Sequence, residues 1–378
     1  MPASTRTHIL HFLKEERSKG PLLYPTVSTI SFFDKPIPIE FILERVQLIL
    51  ESNPWLTGRL VTNGVGGDIH LQYDSPVPED FAYTQVEMLS VDGFVKSTEY
   101  AQLVHLIKPH LVKIGAMNTN KNNGHLFRVM VVNGKALVVS LAHMLGDGHT
   151  FYQLMKMLDV RDSEFGIRAL VPERVVSFNS TVQEVLGKAY YQWLPRVAMP
   201  AFKYLSNTAV VPFEGKIHKV NSAVLAGIKN SYTNCNYDWA FVPINFRGKR
   251  GTDGPLDKHA GNYWIETTVT PAGPYEVRKQ ILNPQNGIPQ SQFPSSNDTM
   301  KGSYAVITNW SSFHHDLQLP NGLTPSLHLP IFLNPLPSEM AVIFRPNKNE
   351  LAILHLSRTK TLSDLFILDK LRPRRSWS

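Results

Sequence analysis

Cysteine is nearly absent from this chain. Cys235 stands alone in 378 residues, so no intramolecular disulfide and no thiolate metal cluster can form. A chain of this length buries enough apolar surface to fold without either, and the lack of disulfides suits a reducing compartment. Long apolar runs are missing too. No stretch approaches the ~18 consecutive apolar residues of a membrane-spanning helix. The opening segment MPASTRTHILHFLKEERSKG holds only HILHFL before its charges, too little for a secretory leader. The expectation is a soluble, cytoplasmic protein with no membrane span. Walker-type and Rossmann-type glycine loops are also lacking. The adjacent His314, His315 and Asp316 would point apart, with no partner cluster to complete a metal site. No metal and no permanently bound cofactor is expected.

The charge balance is basic, at +7, which suits nucleic acid, headgroups or a phosphorylated small molecule. The basic residues are dispersed, and only the terminal KLRPRRSWS is clustered. A tail of that kind is commonly a solvated end. Nucleic-acid binding is therefore not expected.

Hydrophobic periodicity gives the organisation. STISFF reads as a strand, and IPIEFILERVQLILESNP as a helix with Phe41, Ile42, Val46, Leu48 and Ile49 on its apolar face, stopped at Asn53-Pro54. LTGRLVTNGVGGDIHLQY reads as a hairpin around Asn63–Gly67, and Glu99–Val112 as an amphipathic segment. LFRVMVV and ALVVSLA flank Asn133-Gly134, a strong hairpin signal, and TFYQLMKMLDV returns to helical spacing. Helix-like spacing over Thr181–Leu205 is interrupted by Pro195 and Pro200. The pattern restarts with a helix at NSAVLAGIKNSY, then strands at DWAFVPINFRG, NYWIETTVT and SYAVITNW. MAVIFRP with ELAILHLS makes a last hairpin before the helix TLSDLFILDKL. The fold class is α/β (α+β), in two lobes: residues 1–185, a linker over 186–214, and residues 215–378.

The nine residues AHMLGDGHT, Ala142 to Thr150, follow the most strand-like run in the chain. A histidine released into a loop by glycines can present an imidazole poised near neutral pH. Asp147, between Gly146 and Gly148, could orient that ring or hold the loop through an ion pair elsewhere. A plain polar turn, with Asp147 at the start of the next helix, fits the same residues.

Four further stretches bear on that choice. His143 to Gly148 fits HxxxDG, with NPWLTGRL before it in the chain and VPINFRG, AGNYW and ITNWSSF after it in that order. Together they resemble the HxxxDG acyltransferase superfamily, the relatives of chloramphenicol acetyltransferase. The resemblance spans about Ser28 to Leu365. It implies two chloramphenicol acetyltransferase-like lobes, each a mixed sheet with flanking helices, and an active-site tunnel between them. Ala142 stands where condensation domains and wax-ester synthases carry a second histidine, which favours a BAHD-like or fungal acetyltransferase-like branch. The DFGWG element of BAHD enzymes is missing, with HHDLQLPNG in its place.

What the resemblance implies is an acyl group moved directly from acyl-CoA, as co-substrate, to a small-molecule alcohol or amine. His143 would be the catalytic base. Asp147 would pair with Arg247, with Gly148 in the same structural set. Thr308 and Trp310 would face the oxyanion or substrate, and Lys249 and Arg250 the phosphates of coenzyme A. No obligate protein partner is implied, and a monomer is expected. A carrier-protein-dependent condensation enzyme, and an inactive binding protein of the same fold, remain as alternatives. Cys235, in SYTNCNYD with no base beside it, is a packing or surface thiol on this view.

Overall fold

The computed structural model describes residues 5–13, 16, 26–62, 68–112, 124–161, 166–189, 214–220, 239–247, 258–269, 274–282, 304–333 and 339–357. Residues 190–213 of the linker expected over 186–214, the helices expected at Asn221–Tyr232 and Thr361–Leu371, the Asn63–Gly67 turn, and Cys235, Lys249 and Arg250 lie outside the described residues.

The first sheet is built around a strand buried on both faces. Strand β7 (Ala136–Ala142) is buried at every position, which is why ALVVSLA reads as a continuous apolar run rather than an alternating one. It is flanked by β6 (Phe127–Val132) and β2 (Thr26–Phe32), both antiparallel to it. Asn133 and Gly134 both take positive φ between β6 and β7, as an Asn-Gly hairpin requires. The Asn133 side chain also bonds Val91 and Phe94. With the parallel β5 (Val86–Leu89) at one edge and β12 (Leu327–Ile331) at the other, the sheet runs β12-β2-β7-β6-β5.

Strand β12 comes from the last quarter of the chain and pairs antiparallel with β2, His328 opposite Ser31. The second sheet has the order β10-β9-β11-β13-β14-β8. Its members are β8 (Glu214–Lys219), β9 (Trp239–Asn245), β10 (Trp264–Val269), β11 (Tyr304–Asn309), β13 (Glu339–Asn347) and β14 (Glu350–Ser357). Strand β11 is parallel to both neighbours and the outer pairs are antiparallel, so both large sheets are mixed. A small third sheet, β1-β4-β3, joins Arg6–His11, Ile69–Ser75 and Arg59–Thr62. The expected hairpins at β3–β4, β6–β7 and β13–β14 all form. Strands β1, β5, β8 and β12 carried no sequence signal strong enough to be predicted.

Helix α1 (Ile39–Ser52) buries Ile42, Val46, Ile49 and Leu50 on one face. Leu48, expected on that face, is exposed, because its 100° step per residue carries it away from the 42-46-49 stripe. Arg45 is buried instead, donating from Nε to the Met157 carbonyl at 2.9 Å. Asn53 ends the helix by accepting from the Leu170 amide at 2.8 Å and donating to the Arg168 carbonyl at 2.9 Å. The amphipathic segment becomes α2 (Tyr100–Ile107), followed by α3 (Gly148–Lys156), α4 (Phe178–Leu186) and α5 (Pro274–Leu282). Helix α4 packs Phe178, Val182 and Leu186 against Phe246, Tyr263 and Ile265 from the second half of the chain.

The crossing strand carries a buried polar chain into this interior. His328 Nδ1 lies 2.8 Å from Ser31 Oγ, and its Nε2 lies 2.9 Å from Tyr152 Oη on α3. Burial, with a smaller push from His314, lowers the His328 ring to about 3. An unfolded histidine binds its proton near ~6.5, so below that pH the unfolded state holds a proton the native state refuses. Stability should therefore fall as pH drops from ~6.5 toward ~3, with a limiting slope of ~1.4 kcal/mol per pH unit for this one group. Urea titrations between pH 7 and pH 5 measure that slope. His328→Gln should flatten it, and a slope unchanged by the substitution would contradict this account.

Candidate active site

The AHMLGDGHT stretch lies where β7 ends and α3 begins. Ala142 closes the strand, a turn bonds the Leu145 amide to the Ala142 carbonyl at 2.9 Å, and Asp147 caps α3. A methyl group at Gly146 would stand 2.5 Å from the Thr150 side chain, so the loop reaches the helix only because this position has no Cβ. Gly148 is under no such constraint: its nearest neighbour would be Phe313 at 3.5 Å.

Asp147 serves the turn and an ion pair at once. Its Oδ1 accepts from the Thr150 amide at 3.1 Å, while Oδ2 accepts from Arg247 Nη1 at 2.6 Å and from the Tyr263 amide at 3.2 Å. Arg247 spends its other terminal nitrogen on the carbonyls of Gly261, at 2.9 Å, and His259, at 3.2 Å. Its guanidinium lies over the Tyr263 ring, 5.0 Å from the centroid. Both side chains are buried. Burial alone would raise the Asp147 carboxyl, but the charge and hydrogen bond of Arg247 outweigh it, with help from Thr150 and His149, and hold it below the usual carboxylate range. Asp147 is thus the helix cap of the plain-turn reading and the partner of a residue a hundred positions away.

His143 is partly exposed, yet its ring lies deep enough for burial to lower its pKa. Its own backbone carbonyl, Asp147, Asn262 and Glu16 oppose that shift without reversing it. The imidazole is therefore neutral at pH 7 and carries a free lone pair, which is what a general base needs. Nδ1 is buried without a hydrogen-bond partner among the described residues. The His143 carbonyl accepts from Asn262 Nδ2 at 2.8 Å, and the next two carbonyls, Met144 and Leu145, both accept from Arg174 Nη2 at 3.2 Å. Asn262 sits in the AGNYW stretch, but nothing in its spacing announced a contact with the histidine. Arg174 and Glu16 carried no signal at all, being single charges in segments without a motif.

Trp310 is buried just past β11, its ring edge-on to Tyr152 of α3 at 6.2 Å and packed on Phe332 at 5.2 Å. Thr308 is two residues earlier on the same strand and partly exposed. Trp310 therefore packs against the helix capped by Asp147. His315 turns to Asp159, Nε2 to Oδ2 at 2.8 Å, and the Asp316 carbonyl takes Arg161 at 2.7 Å. No three His, Cys, Asp or Glu side chains among the described residues could hold a metal ion, and no described helix is long and apolar enough to cross a membrane.

No protein-family profile matches the chain, and no curated protein matches it in sequence. Solved structures do match. TRI101 of F. graminearum, complexed with coenzyme A and T-2 mycotoxin, superposes with a TM-score of 0.59 at 12% identity, over 95% of this chain and 97% of that one. The first condensation domain of the calcium-dependent antibiotic synthetase, with a substrate analogue, gives 0.58 at 12%, over 96% and 94%. A variant starter condensation domain of rhizomide synthetase, with C8-CoA and Leu-SNAC, gives 0.56 at 11%, over 93% and 89%. The fold is the chloramphenicol acetyltransferase-like one, in two lobes. Likeness at this identity is a statement about fold, and the chemistry must come from the chain's own residues.

The buried pair gives a stability test. Removing one partner of such a pair strands the other charge and typically costs ~3–5 kcal/mol. Asp147→Asn and Arg247→Met should each lower the unfolding free energy by that order, and the double variant by clearly less than the sum. Urea unfolding of the four proteins measures the coupling. Strict additivity would mean that the pair does not act as a unit.

Proposed function

We propose that this chain is an acyltransferase that moves an acyl group from acyl-CoA directly to a hydroxyl or amine of a small-molecule acceptor. The observation that carries the reading is a neutral, partly exposed His143 on a loop pinned by the buried Asp147–Arg247 pair. A rigidly held base is the requirement for this chemistry, since general-base catalysis is typically worth ~10²–10⁴-fold and fails when the base wanders.

In this reading His143 takes the proton of the acceptor as its oxygen or nitrogen attacks the thioester carbonyl. The tetrahedral intermediate collapses by breaking the carbon–sulfur bond, and the leaving thiolate receives the proton from the imidazolium. Thr308 and Trp310 are the proposed donors to the oxyanion, the charge that grows at the carbonyl oxygen. Lys249 and Arg250, following Arg247 in sequence, are proposed to meet the phosphates of coenzyme A. The lobe division at residues 186–214, with the reacting groups meeting in a tunnel between lobes, belongs to the same proposal. Proteins of this fold solved with coenzyme A or with C8-CoA support a CoA donor.

The condensation domains sharing the fold favour a second reading, in which a carrier protein delivers the acyl thioester. Ala142 immediately before His143 weighs against it, because the family's condensation members double the histidine there. A catalytically inactive binding protein of this fold is the third.

Thiol release separates them. Wild-type protein with a panel of acyl-CoAs and alcohol or amine acceptors should release thiol, and His143→Ala should cut kcat/KM by ~10²–10⁴-fold. Equal background release from both proteins would overturn the proposal. Transfer only from a phosphopantetheine-loaded carrier would support the second reading. Initial rates with both substrates varied should give intersecting lines, and parallel lines would reveal a covalent acyl-enzyme.

A further inference from the structure

We propose that Glu16 is a positioning residue for His143, the anchor of a second clamp that grips the loop by its carbonyls through Asn262 and Arg174. The inference rests on His143 being the base of the proposed reaction. No part of it uses the Asp147–Arg247 pair, which holds the other end of the loop.

The clamp is a closed set of buried polar groups. Glu16 is 1% exposed and its carboxylate accepts from Arg174 Nε at 2.9 Å through Oε2 and from the Leu13 amide at 2.9 Å. Oε1 accepts from the Asn262 amide at 2.9 Å and from Asn262 Nδ2 at 3.0 Å. Asn262 Nδ2 also donates to the His143 carbonyl at 2.8 Å. Arg174, oriented by the carboxylate, donates to the carbonyls of Pro172 and Ala260 at 2.8 Å and to those of Met144 and Leu145 at 3.2 Å. Three successive carbonyls of the loop are therefore held by two side chains, and both are set by one carboxylate.

The chemistry of the donors fixes the orientation. A carboxylate and a peptide carbonyl only accept, so both partners of Asn262 demand its NH₂ and the amide cannot flip. That leaves Asn262 Oδ1 as a buried acceptor without a partner, and His143 Nδ1 as a buried ring nitrogen without one, among the described residues. The two are complementary when Nδ1 carries the proton, and that tautomer leaves Nε2 as the base. Leaving a buried acceptor without a donor is costly, which favours the ring position that satisfies it. Gly261, between Ala260 and Asn262, takes φ +137°, and a Cβ there would meet Arg174 at 3.0 Å. Close approach of the guanidinium is thus built into the backbone.

The charged and titratable groups around His143 are Glu16 and Arg174 on this side and Asp147, Arg247 and His149 on the other. Of these only Glu16 is changed in the test. Full-length protein labelled with ¹⁵N-histidine reports the tautomer and titration of His143, with His143→Ala assigning the signal. In wild type the Nδ1–H form should dominate. In Glu16→Gln, where an amide in place of the carboxylate permits Asn262 to flip, the ring should become a mixture of tautomers and titrate at lower pH. Asn262→Ala leaves the Glu16–Arg174 pair intact and should produce the same mixture, so it decides the matter if Glu16→Gln does not fold. In turnover both variants should lose ~10–100-fold in kcat, the scale of a misplaced catalytic group, with KM for acyl-CoA unchanged. Glu350→Gln, which removes the exposed partner of Lys219, should change none of these readouts. Tautomer and titration identical to wild type in folded variants, with only the unfolding midpoint lowered, would reduce the clamp to a structural brace and overturn the proposal. If wild-type protein transfers no acyl group, the functional reading fails, and the spectroscopic measurements still decide whether Glu16 sets the ring.

Discussion

The Asp147–Arg247 pair is the contact on which the geometry of this protein turns. It joins the loop after the central strand of one sheet to the turn after β9 in the other, at 2.6 Å. A buried ion pair is a poor source of net stability, since desolvating both charges offsets most of their attraction. Its value here is directional. Oxygen and nitrogen positions are specified by the Thr150, Tyr263 and Gly261 groups that share them, so the helix, the loop and the second-half strands can meet in only one arrangement. An apolar contact of equal area would hold them together without holding them in place.

Other buried polar groups repeat this division of labour. Asp159, held at about 2 by Arg161, the Gln318 amide and His315 against the effect of burial, ties the end of α3 to the HHDL segment. Tyr152 and Ser31 hold His328 where β12 crosses into the first sheet. Helix α3 thus has its N-terminus fixed by Arg247, its middle by His328 and its C-terminus by the Asp159 cluster. The HHDLQLPNG segment is thus fastened to the end of α3 through Asp159, Arg161 and His315.

Much of the fold was legible because periodicity is a local property. The continuous apolar run of β7, the Asn-Gly turn and the 3.6-residue spacing of α1 and α3 each follow from neighbours in sequence. The misses share a cause. Strands β1, β5, β8 and β12 are short or polar on one side and are strands because a partner completes them, and Leu48 was misplaced by reading apolar character without its angle. At the site, His143, Asp147 and Arg247 stood in stretches with recognisable order. Glu16, Arg174 and Asn262 meet across gaps of 158 and 246 positions, and a lone glutamate gives no local sign of partners so far along the chain.

Burying a histidine lowers its affinity for a proton, and too much burial would leave an imidazole unable to accept one. The groups around His143 balance this. Desolvation keeps the ring neutral in the resting protein, while its own carbonyl, Asp147, Asn262 and Glu16 supply negative potential that stabilises the imidazolium once it forms. Both carboxylates are paired to arginines, Asp147 to Arg247 and Glu16 to Arg174. Each therefore acts on the ring mainly as an oriented dipole. A carboxylate bonded directly to the ring would favour the imidazolium more strongly and bias the ring toward protonation at rest. Keeping the charges one residue removed gives a ring that is neutral before the reaction and able to hold a proton during it.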